Sequence, residues 1–233
     1  SIFNYMAEKI PDHIICDGKV IRDSLKKVVR KRATTVLNGI KIDDLSREKE
    51  ASLRTRQELG IPANAYVIGN MARIIPWKGQ ELLLNVFTKY AELNQNSYLL
   101  LVGSPLFEND KYFKYLMQLI DEYGLGKRVI MPGYRSDLKE IFSAMDIFIY
   151  PSLEKDTSPL ALLSAISAGL PAIVSNIKCL EEVIELCSAV DVFDLTNRDE
   201  LLSLIAKYED EDIRIKNGKK NRETGKMYFD IAT

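Results

Sequence analysis

Residues 66–79 read Y-V-I-G-N-M-A-R-I-I-P-W-K-G. A short apolar run enters a turn, and Leu83, Val86, Phe87 and Tyr90 then follow at helical spacing between Gln80 and Ala91. The pattern is a buried strand, its loop, and a helix with one apolar face. The same phrase returns until about residue 174. Tyr98 to Val102 is an unbroken apolar run ended by Gly103, too short for a helix, and so a central strand. Phe113, Leu116, Met117 and Ile120 mark the next helix, and Arg128 to Met131 a strand stopped by Pro132-Gly133. Asp137 and Glu140 have the spacing of a capping box opening a helix to Met145. Ile147 to Tyr150 and Ala172 to Ser175 are strands on either side of a helix from Leu160 to Ala168, and Asp191 to Phe193 is a last strand. Strands alternating with helices predict right-handed crossovers and an α/β doubly wound parallel sheet, Rossmann-like, with six strands over residues 34–205.

The flanks read differently. Residues 1–33 hold a helix-like start, a short I-I-C run and the basic stretch Lys26 to Arg32. Ser46 to Leu59 reads as a solvent-facing helix, and residues 197–232 read as polar helices around the acidic run Glu209 to Asp212. A length of 233 residues with 46% apolar content supports a sizeable core. A net charge of −1 gives no field that would favour nucleic acid. Three cysteines without a C-x-x-C, and a single His13, offer no zinc-type cluster and fit reduced thiols in the cytoplasm. No apolar stretch nears the ~20 residues of a membrane span. The basic run leaves room for peripheral contact with anionic lipid at the inner face of a membrane, although a solvated helix face reads the same way.

Chemistry concentrates in two stretches. Arg73 and Lys78 sit at the mouth of the first strand-to-helix crossing, where an open parallel sheet binds its ligands. An arginine fork and a lysine point charge suit a diphosphate, though two surface cations near a turn would share that spacing. The second stretch runs from Asp156 to Gly169. There Thr157, Ser158, Pro159 and Leu160 lead into a small-residue helix whose first amides can meet phosphate. Neither G-x-G-x-x-G after a strand nor G-x-x-x-x-G-K-[ST] is present, so the dinucleotide and P-loop readings lack their fingerprints. The D-x-D at Asp210 to Asp212 reads as a solvated acidic turn rather than a metal site.

T-V-L-N-G-I (35–40), A-R-I-I-P-W-K-G-Q-E-L-L-L (72–84), L-L-L-V-G-S (99–104), M-P-G (131–133), D-I-F-I-Y-P-S (146–152) and A-L-L-S-A-I-S-A-G-L-P-A-I-V-S (161–175) are each weak signals. In this order they resemble the nucleotide-binding half of a GT-B retaining glycosyltransferase, from the large group 1 / family 4 type that builds capsule, lipopolysaccharide and mannolipids. The resemblance implies that Arg73 and Lys78 hold the donor diphosphate. It implies that Gly133, Tyr134 and Arg135 contact the base, and that Gly103 and Ser104 border the same cleft. The family carries two glutamates separated by seven intervening residues around the helix start, the first near the donor sugar and the second on the ribose. Here Asp156 and Ser164 stand in those positions, and Glu154 could supply a carboxylate from a shifted loop.

The chemistry implied is sugar transfer from a nucleotide diphosphate sugar, with UDP the expected carrier. It needs no metal or other cofactor and delivers the sugar to a glycan or lipid-linked acceptor, as in polysaccharide and lipopolysaccharide biosynthesis. The resemblance also implies a second, N-terminal domain. Residues 1–33 would be its remnant and linker, 34–205 the nucleotide-sugar domain, and 206–233 helices crossing back towards the absent domain with exposed Ile2, Phe3, Tyr228 and Phe229. The fragment alone would then be inactive. A nucleotide-sugar-binding homologue without catalysis, and a phosphorylase or epimerase on the same fold, remain open readings.

Overall fold

A computed structural model describes residues 6, 11–105, 111–154 and 156–232. Among them six strands form one parallel sheet: β3 (Tyr66–Met71), β4 (Ser97–Val102), β5 (Val129–Gly133), β6 (Ile147–Tyr150), β7 (Ala172–Ser175) and β8 (Val190–Phe193). Their spatial order is β5-β4-β3-β6-β7-β8, with every neighbouring pair parallel. The chain builds outward from β3 to β5 on one side, then returns to lay β6 on the other side of β3. That return opens a crevice at the carboxyl ends of β3 and β6, the topological switch point where doubly wound sheets take their ligands.

Burial on both faces explains why these strands read as continuous apolar runs rather than alternating ones. Val67, Leu100, Val102, Phe148 and Tyr150 point into one core with Phe142 and Leu162. Ile68, Leu99, Leu101, Ile147 and Ile149 point into the other with Leu83, Phe87 and Ile205. The crossover helices are α4 (Gln80–Leu93), α5 (Lys111–Glu122), α6 (Leu138–Ala144), α7 (Leu160–Ser167) and α8 (Glu181–Leu186). After β8, α9 (Arg198–Lys207) buries Leu201 and Ile205, so the expected boundary at 205 falls inside a helix. α10 (Glu211–Tyr228) then lies along α7, with Asn221 Nδ2 donating to the Leu170 carbonyl at 2.8 Å.

Before the sheet come β1 (Ile14–Cys16), α1 (Lys19–Ser24), α2 (Lys27–Arg30), β2 (Ala33–Thr35) and α3 (Lys49–Glu58). β1 and β2 pair in parallel as a separate two-stranded sheet.

Four sequence expectations are corrected. The helix over Lys49–Glu58 is not simply solvent-facing: Ala51, Thr55 and Arg56 are buried, and Arg56 donates to the carbonyls of Ala63, Ala65 and Ala144 and to Asp146. The capping box at Asp137 does not form, because both oxygens of that carboxylate accept from Arg135 instead. The strand expected to stop before Pro132 continues to Gly133 across a register shift. Phe229 is core, 1% exposed, because the chain end returns to pair with Ile40, whereas Tyr228 is 50% exposed as expected. Ile2 and Phe3 lie outside the described residues. The D-x-D is a helix cap, with Asp210 accepting the backbone N–H groups of Asp212 and Ile213.

Candidate active site

The loops after β3 and β6 touch at the switch point. Gly79 closes the turn after β3 at φ +73, and a Cβ there would lie 2.0 Å from the carbonyl oxygen of Pro151, just beyond β6. Beside it, a Cβ on Gly103 would stand 1.9 Å from the Ala72 carbonyl. Both glycines permit loops to meet where any side chain would hold them apart.

The loops after β3, β4 and β5, with the start of α7, line a cavity of about 590 Å³, which includes Arg73, Gly103, Ser104, Tyr134, Arg135, Leu160 and Ser164 among the sequence-predicted residues. The sequence reading missed the backbone and apolar wall of Met71, Ala72, Val102, Pro105, Ser136, Leu138 and Ala161. Of these, Ala72, Val102, Pro105, Ser136 and Ala161 are direct neighbours of predicted residues, and the first three lie at strand ends from which they could have been inferred. The first turn of α7 opens onto this space, so its amide donors and positive end face an incoming anion. Ser164 is only 3% exposed, and its hydroxyl has no hydrogen-bond partner among the described residues.

Arg73 is exposed, and its guanidinium makes no ion pair among the described residues, lying 6.0 Å from the centre of the Trp77 ring. Lys78 does not line the cavity. It is buried, with Nζ 2.5 Å from the Asp156 carboxylate, 2.6 Å from the Tyr150 hydroxyl and 4.5 Å from the centre of the Trp77 indole. The same Asp156 oxygen accepts from Tyr150 at 2.6 Å and from Ser152 at 2.7 Å. Burial lowers the Lys78 ammonium below its ordinary range; Asp156 opposes that shift and the Arg73 charge adds to it. Burial and the Asp156 charge push the Tyr150 hydroxyl well up, so it stays a neutral donor. The two catalytic candidates Lys78 and Asp156 are therefore partners of each other, a pairing that no spacing in the sequence signalled.

Other candidates have structural employment. Arg135 pairs with Glu58 and Asp137, which hold its guanidinium firmly charged, so it forms wall rather than a free cation. Ser158 is committed to Asn38: its Oγ accepts the Asn38 backbone N–H at 2.7 Å and its carbonyl accepts Asn38 Nδ2 at 2.8 Å. Thr157 donates to Asp17 at 2.8 Å, away from the cavity wall. Glu154 is exposed, Pro159 caps α7, and Gly133 accepts the Gly103 N–H at 2.9 Å. None of Ser158, Thr157, Glu154, Pro159 and Gly133 lines the cavity.

The family described as Glycosyl transferases group 1 matches residues 52–225, most of the chain and all of this site. The chain belongs to that family. It is 30% identical over 169 residues to the Escherichia coli UDP-Gal:alpha-D-GlcNAc-diphosphoundecaprenol alpha-1,3-galactosyltransferase, covering 71% of this chain and 41% of that protein. It is 28% identical over 186 residues to the Salmonella typhimurium lipopolysaccharide 1,2-N-acetylglucosaminetransferase, covering 74% and 47%. The chain thus spans less than half the length of these relatives. In solved structures its fold recurs in Anabaena HepE in complex with UDP and glucose, at a TM-score of 0.90 and 22% identity over 99% of this chain and 62% of that one. The fold is therefore a Rossmann-like GT-B half. Among the described residues no helix is long and apolar enough to cross a membrane, and no group of three His, Cys, Asp or Glu could hold a metal ion.

Proposed function

We propose that this chain is the donor-binding half of a retaining glycosyltransferase that takes its sugar from a UDP-linked donor. The observation that carries this reading is the cavity at the switch point, where the unpaired Arg73, the first turn of α7 and the buried Ser164 hydroxyl face one space. The diphosphate lies between Arg73 and α7, and Ser164 meets a ribose hydroxyl. The base stacks along residues 133–136 with Tyr134, which is 77% exposed, closing over it.

Cleavage of the bond from the anomeric carbon to the diphosphate leaves negative charge on the phosphate oxygens. Arg73 and the first amides of α7 stabilise that charge in place, without a metal, with Lys78 behind the cavity wall. Asp156 keeps Lys78 oriented and presents its carboxylate towards the donor sugar. An acceptor hydroxyl, on a glycan or lipid-linked sugar, attacks the anomeric carbon from the face the diphosphate leaves and passes its proton to the departing phosphate oxygen. Acceptor positioning falls to a second domain, and residues 1–33 and 206–233 adjoin it. By this account the protein works in the cytoplasm, at the inner face of a membrane that carries its acceptor.

The relatives' names support a nucleotide-sugar donor and a glycan-building role, and the HepE complex supports UDP on this fold. A thermal-shift panel of UDP, GDP, ADP and their sugars tests the donor. UDP compounds should raise the midpoint most, and a flat panel would remove the reading. Turnover of the preferred donor in EDTA by a two-domain protein, with the anomeric configuration read by NMR, tests retention and metal independence.

A further inference from the structure

We propose that Asn38 is a positioning residue of this site: it holds Ser158 in a left-handed backbone so that Asp156 meets Lys78. The inference rests on reading the cavity as a nucleoside diphosphate site. Ser158 is the one non-glycine residue with positive φ among the described residues, at +42, and it is 2% exposed. A side-chain-bearing residue stays in that region only where its surroundings hold it there. Here two hydrogen bonds do so, both from Asn38, which lies 120 positions earlier, just after β2. Asn38 Nδ2 satisfies the Ser158 carbonyl, and the Asn38 N–H meets the Ser158 hydroxyl. Asp17 adds a hold one residue away through Thr157, and a Cβ on Gly18 would press the Thr157 methyl at 3.1 Å.

What this clasp fixes is the approach to both halves of the site. Two residues before Ser158, Asp156 closes the hydrogen-bonded cluster with Lys78, Tyr150 and Ser152. Directly after it, Pro159 caps α7, the helix whose first turn faces the cavity. A Ser158 released to an ordinary backbone region would rotate the chain between them. The Asp156 carboxylate and the α7 amides would then no longer keep their present relation. A segment ahead of the sheet thus sets the geometry on which Lys78 and the first turn of α7 depend.

Trp77 reads this geometry directly. It is the sole tryptophan, its ring lies 4.5 Å from Lys78 Nζ, and its carbonyl accepts the Leu153 N–H at 2.8 Å. The test compares wild type, Asn38→Ala, Asn38→Asp and the double variant Asn38→Ala with Ser158→Gly, by Trp77 emission without ligand and by calorimetric titration with UDP. Asn38→Asp keeps size and backbone N–H but cannot donate to the Ser158 carbonyl. Both single variants should change Trp77 emission and raise the UDP Kd about 3- to 10-fold, the scale of one net hydrogen bond. Glycine adopts positive φ freely, so the double variant should return emission and Kd to within about twofold of wild type. Wild-type emission and Kd in both single variants would overturn the proposal, and so would a lower melting temperature with Kd unchanged. If wild type itself binds no UDP, the functional reading falls, and Trp77 emission with its reversal by Ser158→Gly still decides the role of Asn38.

Discussion

Replacing Asp156 by alanine should be among the most damaging single changes at this site. Lys78 Nζ would lose a carboxylate at 2.5 Å while its side chain, 9% exposed, stays enclosed by Tyr150 and Trp77. Water cannot readily replace the lost partner, so the ammonium must deprotonate, move, or remain uncompensated. Removing one member of a buried pair costs about 3–5 kcal/mol. Total domain stability is typically ~5–15 kcal/mol, so the loss is a large share. With a urea slope of roughly 2–3 kcal/mol/M, the unfolding midpoint should fall by about 1–2.5 M. Lys78→Met combined with Asp156→Leu removes both charges and should recover most of the loss, because the cost arises from the orphaned charge. Urea unfolding followed by circular dichroism gives both numbers. A loss below ~1 kcal/mol in Asp156→Ala, or a double variant no better than the single, would refute the pairing as described.

Arg73→Ala should weaken UDP binding by about 1.5–3 kcal/mol, the scale of a charged hydrogen bond, with little change in melting temperature because the side chain is exposed. Calorimetry and a thermal melt separate the two effects, and unchanged affinity would remove Arg73 from the diphosphate site. Ser164→Glu should strengthen UDP binding by about 1 kcal/mol, since a carboxylate accepts ribose hydroxyls with charge assistance; equal or weaker affinity would take Ser164 off the ribose. Burial pushes the Cys187 thiol from an ordinary 9.0 up to about 12. A raised folded value means its contribution is complete below pH 9 and is lost as pH rises towards 12. Stability should therefore fall across that window, and Cys187→Ala should flatten the fall by at most about 4 kcal/mol, read by urea titrations at pH 8, 10 and 11. An identical slope in wild type and variant would assign the alkaline loss to other groups.

The centre of the sheet was legible because its strands are buried on both faces and read as near-continuous apolar runs between helical periods, whereas the edge strands β5 and β8 are only part-buried. Arg73 stands where the first of those runs ends, and Gly103 and Ser104, pointed to by the family resemblance, stand where the second ends; all three line the cavity. The pairings that decide what each side chain is free to do were not legible. Lys78 meets Asp156 across 78 positions, Arg135 meets Glu58 across 77, and Ser158 meets Asn38 across 120. No local period carries such information. The same holds for Asp137, whose capping spacing was overridden by Arg135, and for α3, where a polar composition concealed the buried Arg56 face. Phe229 looked like a surface residue near a chain end until its backbone was seen returning to Ile40.

The central claim is that one cavity, at the carboxyl ends of β3, β4 and β5 beside the first turn of α7, holds a nucleoside diphosphate. A crystal structure of this chain soaked with UDP tests it most directly. The account predicts electron density in the ~590 Å³ cavity, with phosphate oxygens within hydrogen-bonding reach of Arg73 and the first amides of α7, the ribose at Ser164, and the base along residues 133–136. UDP seated elsewhere, or lying in the cavity with its phosphates turned away from Arg73, would contradict it.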